Sequence, residues 1–259
     1  MHLTVAALQT PGTPGDVTAN LAELDEAAAR AVAGGAGLLV TPELFVTGYD
    51  IGDAVRELAS PSTIDAAAVI AQRHGIAIVL GAPEQSGDLL YNTAFFIDDT
   101  GDIIARHRKS HLFGELDQRY FTAGDRAATL VDHRGVRIAL MICYDVEFPE
   151  NVRAAAAAGA HLVAVPTAQM TPFEYVAEHV VRTRAWENQV YLAYVNHDGH
   201  EGDTEYVGRS SIVGPDAGVL DSAVHGRALL TAVVDTEVVA EAQQRNPYLL
   251  DRRPDLPVA

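Results

Sequence analysis

A chain of 259 residues, apolar at 48% of positions and charged at 20%, is long enough to bury a sizeable core, and no Ser-, Pro- or Gln-rich tract divides it. Its formal charge of −17, from eighteen Lys and Arg against thirty-five acids, argues against nucleic acid, whose phosphates need a basic face. No stretch approaches the roughly eighteen apolar residues of a membrane helix, the first residues lack an export signal, and one cysteine permits no internal disulfide, so a single domain over 1–259 in the reducing cytoplasm is expected.

Leu3 to Leu8 reads as a strand, followed by a helix capped by Asp16 and closed near Val32 by Gly34-Gly35. Strands at Gly37–Val40 and Ile76–Leu80 flank a helix over Ile64–His74. Ala94–Ile97 and Ile103–Ala105 then surround Asp98-Asp99-Thr100-Gly101-Asp102, whose turn residues predict a hairpin. Further on, strands are expected at Val136–Ile142, His161–Val165 and Val190–Val195, with helices over Pro149–Ala158 and Phe173–Glu187 between them. Val207–Val213 and Ala228–Val234 add strands around a second turn, Gly214–Gly218, before a polar tail with Pro247, Pro254 and Pro257. Crossover helices mixed with hairpins predict an α/β fold with two mixed sheets in a four-layer α-β-β-α sandwich, in preference to one doubly wound sheet.

Cys143 stands where an apolar run gives way to Tyr144-Asp145-Val146-Glu147-Phe148-Pro149-Glu150. A thiol with the ordinary pKa near 8.5 needs a base or a positive charge beside it to become a nucleophile. Glu43, after Val40-Thr41-Pro42, and Lys109, in Arg108-Lys109-Ser110-His111, end two other β-rich runs and supply one of each.

These three segments, in order and over essentially the whole chain, resemble the nitrilase superfamily of carbon-nitrogen hydrolases. The resemblance implies the α-β-β-α sandwich and catalytic roles for Glu43, Lys109 and Cys143. It implies a thioester mechanism without metal or organic cofactor, in which Lys109 and the N–H of Tyr144 hold the oxyanion. A second family glutamate falls by spacing on Asp117, while Glu115 lies two residues earlier; the longer Glu115 is favoured and Asp117 is the alternative. A homodimer is a further family-level expectation.

True nitrilases of this family typically follow the nucleophile with Trp-Glu, and carbamoyl amino acid hydrolases place an Arg shortly after it. This chain has Tyr144-Asp145-Val146-Glu147 there. The segments Thr47–Gly52, Cys143–Glu150 and Val165–Pro172 look like the stereoselective amidase and 5-aminopentanamidase branch. A linear or amino-substituted carboxamide is therefore expected as substrate, with Glu147 or another pocket acid meeting an amino group and Tyr49, Tyr144, Gln169, Met170 and Phe173 lining the pocket. Hydrolysis of a carbamoyl group or a nitrile is the alternative within enzymes, and a catalytically silent binding module is the alternative outside them. The glycines of Ala33–Gly37 follow a helix and precede a strand, the reverse of a dinucleotide loop. His107 and His111 bracket a cation and lack further ligands at metal spacing, so no metal is expected.

Overall fold

The computed structural model describes residues 1–253 and 255, so Pro254 and Pro257 of the expected tail lie outside the described residues. Strand and helix alternate first. β1 (His2–Gln9), β2 (Leu38–Val40) and β3 (Ala77–Ser86) run parallel, connected by α1 (Val17–Ala33), the short α2 (Ala54–Leu58) and α3 (Pro61–His74). Asp16 caps α1 by accepting from Ala19 N at 2.9 Å. β4 (Leu89–Ile97) and β5 (Ile103–Arg108) then fold back antiparallel.

The second half begins with α4 (Gly114–Tyr120), β6 (Thr129–His133), β7 (Val136–Leu140), α5 (Pro149–Ala157) and β8 (Leu162–Thr167). A π-helical turn at Val176–Val180 runs into α6 (Val181–Asn188), which precedes β9 (Tyr191–Asn196). The small pair β10 (Asp198–Glu201) and β11 (Thr204–Val207) follows, then β12 (Ser210–Val213), β13 (Val219–Ala223), β14 (Ala228–Asp235), α7 (Thr236–Arg245) and α8 (Tyr248–Asp251).

Two six-stranded mixed sheets result among the described residues, ordered β14-β1-β2-β3-β4-β5 and β13-β12-β9-β8-β7-β6. Their facing sides share one apolar core that includes Val5, Val40, Val79, Phe96, Ile138, Leu140, Ala164 and Val195. On the outer face of the first sheet, Leu39, Ile78 and Leu80 pack against Leu24, Ala28, Ile64 and Ala71 of α1 and α3. Val163, Val165 and Leu192 of the second sheet pack against Val152, Ala156, Val181 and Ala185 of α5 and α6. The architecture is the α-β-β-α sandwich. Strands covered on both faces explain why their sequences read as unbroken apolar runs.

Three differences from the sequence reading concern where strands end and which strand each one pairs with. β3 continues to Ser86 and pairs along its length with β4, an additional hairpin. Val207–Val213 is divided by Gly208-Arg209 into β11 and β12, with Arg209 at φ +54°. The hairpin partner of β12 is β13, while β14 crosses to the first sheet and lies antiparallel to β1.

Candidate active site

Glu43, Lys109 and Cys143 each stand just past the C-terminal end of a strand, β2, β5 and β7 respectively. Two antiparallel reversals return β5 to the direction of β2, so both ends open on one rim. From there the Glu43 loop reaches the other sheet: its N–H donates to Thr167 O at 3.3 Å and its carbonyl accepts from His197 Nε2 at 2.7 Å. Gly81 admits this loop, since a Cβ there would lie 2.1 Å from Pro42 O. Gly124 plays the same part beside Lys109, where a Cβ would meet Arg108 O at 2.2 Å.

Lys109 is fully buried, and its Nζ donates to Glu43 Oε1 and to Asp117 Oδ2, both at 2.6 Å. Asn92 Nδ2 donates to the same Glu43 Oε1 at 2.7 Å, which leaves the buried Oε2 without a partner among the described residues. Burial works against the Lys109 charge, but Glu43 and Asp117 outweigh it and hold the ammonium well above the ordinary lysine range. Burial raises the Glu43 carboxyl, with Lys109 pulling it down and Asp117 pushing it up. A carboxylate moved toward neutrality is suited to take a proton and return it. The preference for Glu115 is corrected here. Glu115 is exposed on the first turn of α4, whereas Asp117 is buried and binds both Lys109 and Phe113 N, the latter at 2.8 Å. One more methylene cannot compensate for a Cα on the wrong face of a helix.

After β7 the chain passes through a tight turn at Cys143–Glu147 into α5. Cys143 adopts φ +45°, a region that a residue with a Cβ enters only when its surroundings impose it. Asp145 imposes it. Its Oδ2 accepts from Ile142 N and His107 Nε2, both at 3.1 Å, and its Oδ1 from the N–H groups and side chains of Ser110 and His111 at 2.7–3.1 Å. One buried carboxylate thus ties the cysteine turn to the segment carrying Lys109. Burial would raise Asp145, but the bonds from His107, Ser110 and His111 prevail and hold it below the usual carboxylate range. Burial pushes the Cys143 thiol well up, with Glu43 adding to the shift and Lys109 opposing it, so ionisation needs a base.

The expected pocket residues distribute around this cluster. Tyr49 is buried with its ring centre 5.6 Å from Lys109 Nζ, and its N–H donates to Glu201 Oε2 at 2.8 Å. Tyr144 packs edge-on against Phe113 and Phe148, with ring centres 5.2 and 4.9 Å apart. Gln169 reaches the thiol, Sγ to Oε1 being 3.6 Å. Phe173, 41% exposed, meets Phe113 edge-on at the outer side. Met170 packs toward Leu44, Tyr49 and Tyr206 in a separate apolar cluster. Glu147 is half-buried, and burial raises its carboxyl to about 6 against the pull of Lys109 and Arg184. The Arg184 guanidinium is engaged by the carbonyls of Val146 and Glu147 and by Glu187, so the Glu147 carboxylate has no hydrogen-bond partner among the described residues.

A family model described as carbon-nitrogen hydrolase matches residues 4–244. The chain belongs to the carbon-nitrogen hydrolase family. A Pseudomonas protegens protein named hydrolase in pqqF 5'region is 45% identical, over 97% of this chain and 90% of its own length. An (R)-stereoselective amidase from Pseudomonas sp. is 33% identical, over 96% of this chain and 91% of its own. Among solved structures, a double mutant of the amidase from Nesterenkonia sp. AN1 in complex with acrylamide superposes with a TM-score of 0.89. It is 35% identical, covering 97% of this chain and 94% of that one. Another mutant of that amidase, with equal score, identity and coverage, shows covalent addition of the acetamide moiety of fluoroacetamide at the active site cysteine. The fold of this hydrolase is that of nitrilase-superfamily amidases.

Sequence reasoning misses two groups that shape the hydrolase site. Asn92 sits within the apolar run of β4, and His197 follows the apolar run of β9. A signal was present, because a polar side chain in a strand covered on both faces must find a partner. Only the assembled sheets reveal that both partners are on Glu43.

Proposed function

We propose that this hydrolase is an amidase that cleaves a carboxamide, preferably one carrying an amino group, to a carboxylic acid and ammonia. The observation that carries the reading is the buried Lys109 with Glu43 and Asp117 beside Cys143, one Glu43 oxygen being left without a partner among the described residues. Sγ attacks the amide carbon while its proton passes to Glu43 Oε2. The carbonyl π electrons move onto oxygen, where Lys109 Nζ and the N–H of Tyr144 stabilise the charge. Collapse breaks the C–N bond, Glu43 gives its proton to the departing nitrogen, and ammonia leaves a thioester. Water then adds, Glu43 takes one of its protons, and expulsion of the sulfur with return of that proton restores the thiol and frees the acid. Asp117 acts through Lys109, which it orients and keeps charged.

The preference for an amine rests on Glu147, a half-buried carboxylate without a hydrogen-bond partner among the described residues, on the turn that carries the nucleophile. Such a group attracts an ammonium and repels a substrate carboxylate. The whole chain serves as one catalytic unit on this reading. A single thiol suits a reducing compartment such as the cytoplasm, and the exposed Trp186 on α6 with Tyr175 just before the π-helical turn suits a homodimer. No helix among the described residues is long and apolar enough to cross a membrane.

Ammonia release from pentanamide and 5-aminopentanamide, with Cys143→Ala as the blank, tests both levels. Turnover of both with the amino compound favoured is expected. Equal turnover removes the role of Glu147, and release that survives in Cys143→Ala removes the mechanism.

A further inference from the structure

Gln169 was expected as a pocket wall, yet its side chain faces the sulfur, with Oε1 3.6 Å from Sγ. Which end of the amide points at the thiol is decided by its other contact. Nε2 lies 3.2 Å from the carbonyl oxygen of Phe173, an acceptor that must be met by a donor. The backbone leaves Gln169 little freedom, because its N–H donates to Asn196 Oδ1 at 2.7 Å and its carbonyl accepts from Asn196 Nδ2 at 3.2 Å. An amide oxygen has no proton to give. The sulfur must therefore be the donor, and its hydrogen points at Gln169 instead of at Glu43 Oε2, which has no partner among the described residues.

We propose that Gln169 is a positioning residue that holds the resting nucleophile as a neutral thiol, its proton turned away from Glu43, so that ionisation waits for substrate. An entering amide displaces the S–H···O contact. The hydrogen swings to Glu43 Oε2, the S–H bond breaks as the S–C bond forms, and the carbonyl electron pair moves to oxygen. Placing an acceptor oxygen against sulfur disfavours thiolate, in keeping with burial and the Glu43 and Glu147 carboxylates, which push the thiol up against the opposing pull of Lys109 and the backbone of Ala168. The cysteine is thus guarded against electrophiles between turnovers. This step rests on Cys143 being the nucleophile of the proposed amidase, whereas the resting state of the thiol is independent of any substrate.

Reaction of the full chain with methyl methanethiosulfonate, a small thiol reagent that is not an amide, tests the inference across pH 5.5 to 9.5. In the unaltered protein the rate is expected to climb through neutrality without a plateau. Gln169→Met, close to isosteric, and Gln169→Leu should react about five- to tenfold faster at neutral pH, with the profile moved to lower pH, as expected for loss of one hydrogen bond to the thiol form. A plateau already reached by neutral pH in the unaltered protein would overturn the proposal. So would folded variants with unchanged rate and profile. Should both variants fail to fold, the profile of the unaltered protein decides. Because no amide is turned over in the assay, a protein inactive on every amide would still report on Gln169.

Discussion

Exchanging Asp117 for Asn discriminates between the two acids near Lys109. Asp117 Oδ2 accepts from Lys109 Nζ at 2.6 Å and from Phe113 N at 2.8 Å, both away from water. Asn can still accept through its oxygen, so the change removes charge and leaves the shape. A hydrogen bond to a charged group contributes about 1.5–3 kcal/mol. At about 1.4 kcal/mol per tenfold in rate, Asp117→Asn should lower kcat/KM by about 10- to 150-fold. Glu115→Gln, changing an exposed side chain, should remain within about twofold. Initial rates of ammonia release, with circular dichroism to confirm folding, give both numbers. Activity of Asp117→Asn within threefold of the unaltered enzyme, or a Glu115→Gln variant as impaired as the Asp117 one, would refute the assignment.

Protonation of Glu147, whose carboxyl is raised to about 6, should weaken capture of an ammonium. The KM for an amino-substituted amide should therefore rise as pH falls through that value, relative to pentanamide, and Glu147→Gln should abolish the difference. Asn92→Ala deletes one of the two donors that saturate Glu43 Oε1, and kcat should fall about tenfold, the measure of one hydrogen bond to a charged group, while KM changes little. For Asp145 the folded carboxyl lies below its unfolded value near 3.9, so its stabilisation is present above that value and is lost as pH falls through the folded one. Asp145→Asn should cost about 2–4 kcal/mol at neutral pH, with the gap closing in acid, as read by urea unfolding at several pH values. Gly81→Ala would bring a methyl within 2.1 Å of Pro42 O and should abolish activity or folding, a result checked by thermal melting and turnover together.

Much of this was legible because the physics involved is local or periodic. Apolar runs such as Gly37–Val40 and Val136–Leu140 announce strands, and a charged or nucleophilic residue just past the end of each, Glu43 and Cys143, indicates a shared rim. Side-chain length was a poor guide to the fourth polar group, since Glu115 and Asp117 differ by a methylene but point to different sides of α4. The six donors around Asp145 come from residues 107–111 and 142, a convergence that no window along the chain displays. Sheet membership of β14 was hidden for a related reason: its alternation fits either sheet, and the choice is made by the bare edge of β1.

That edge has a consequence for biosynthesis. β1 and β14 run side by side, His2 opposite Asp235 and Gln9 opposite Ala228, although almost the entire polypeptide separates them. β1 is synthesised well before β14 and must wait for it before its outer hydrogen-bonding groups are satisfied. During that interval the growing chain carries an open β-template, the kind of unpaired edge through which folding intermediates aggregate.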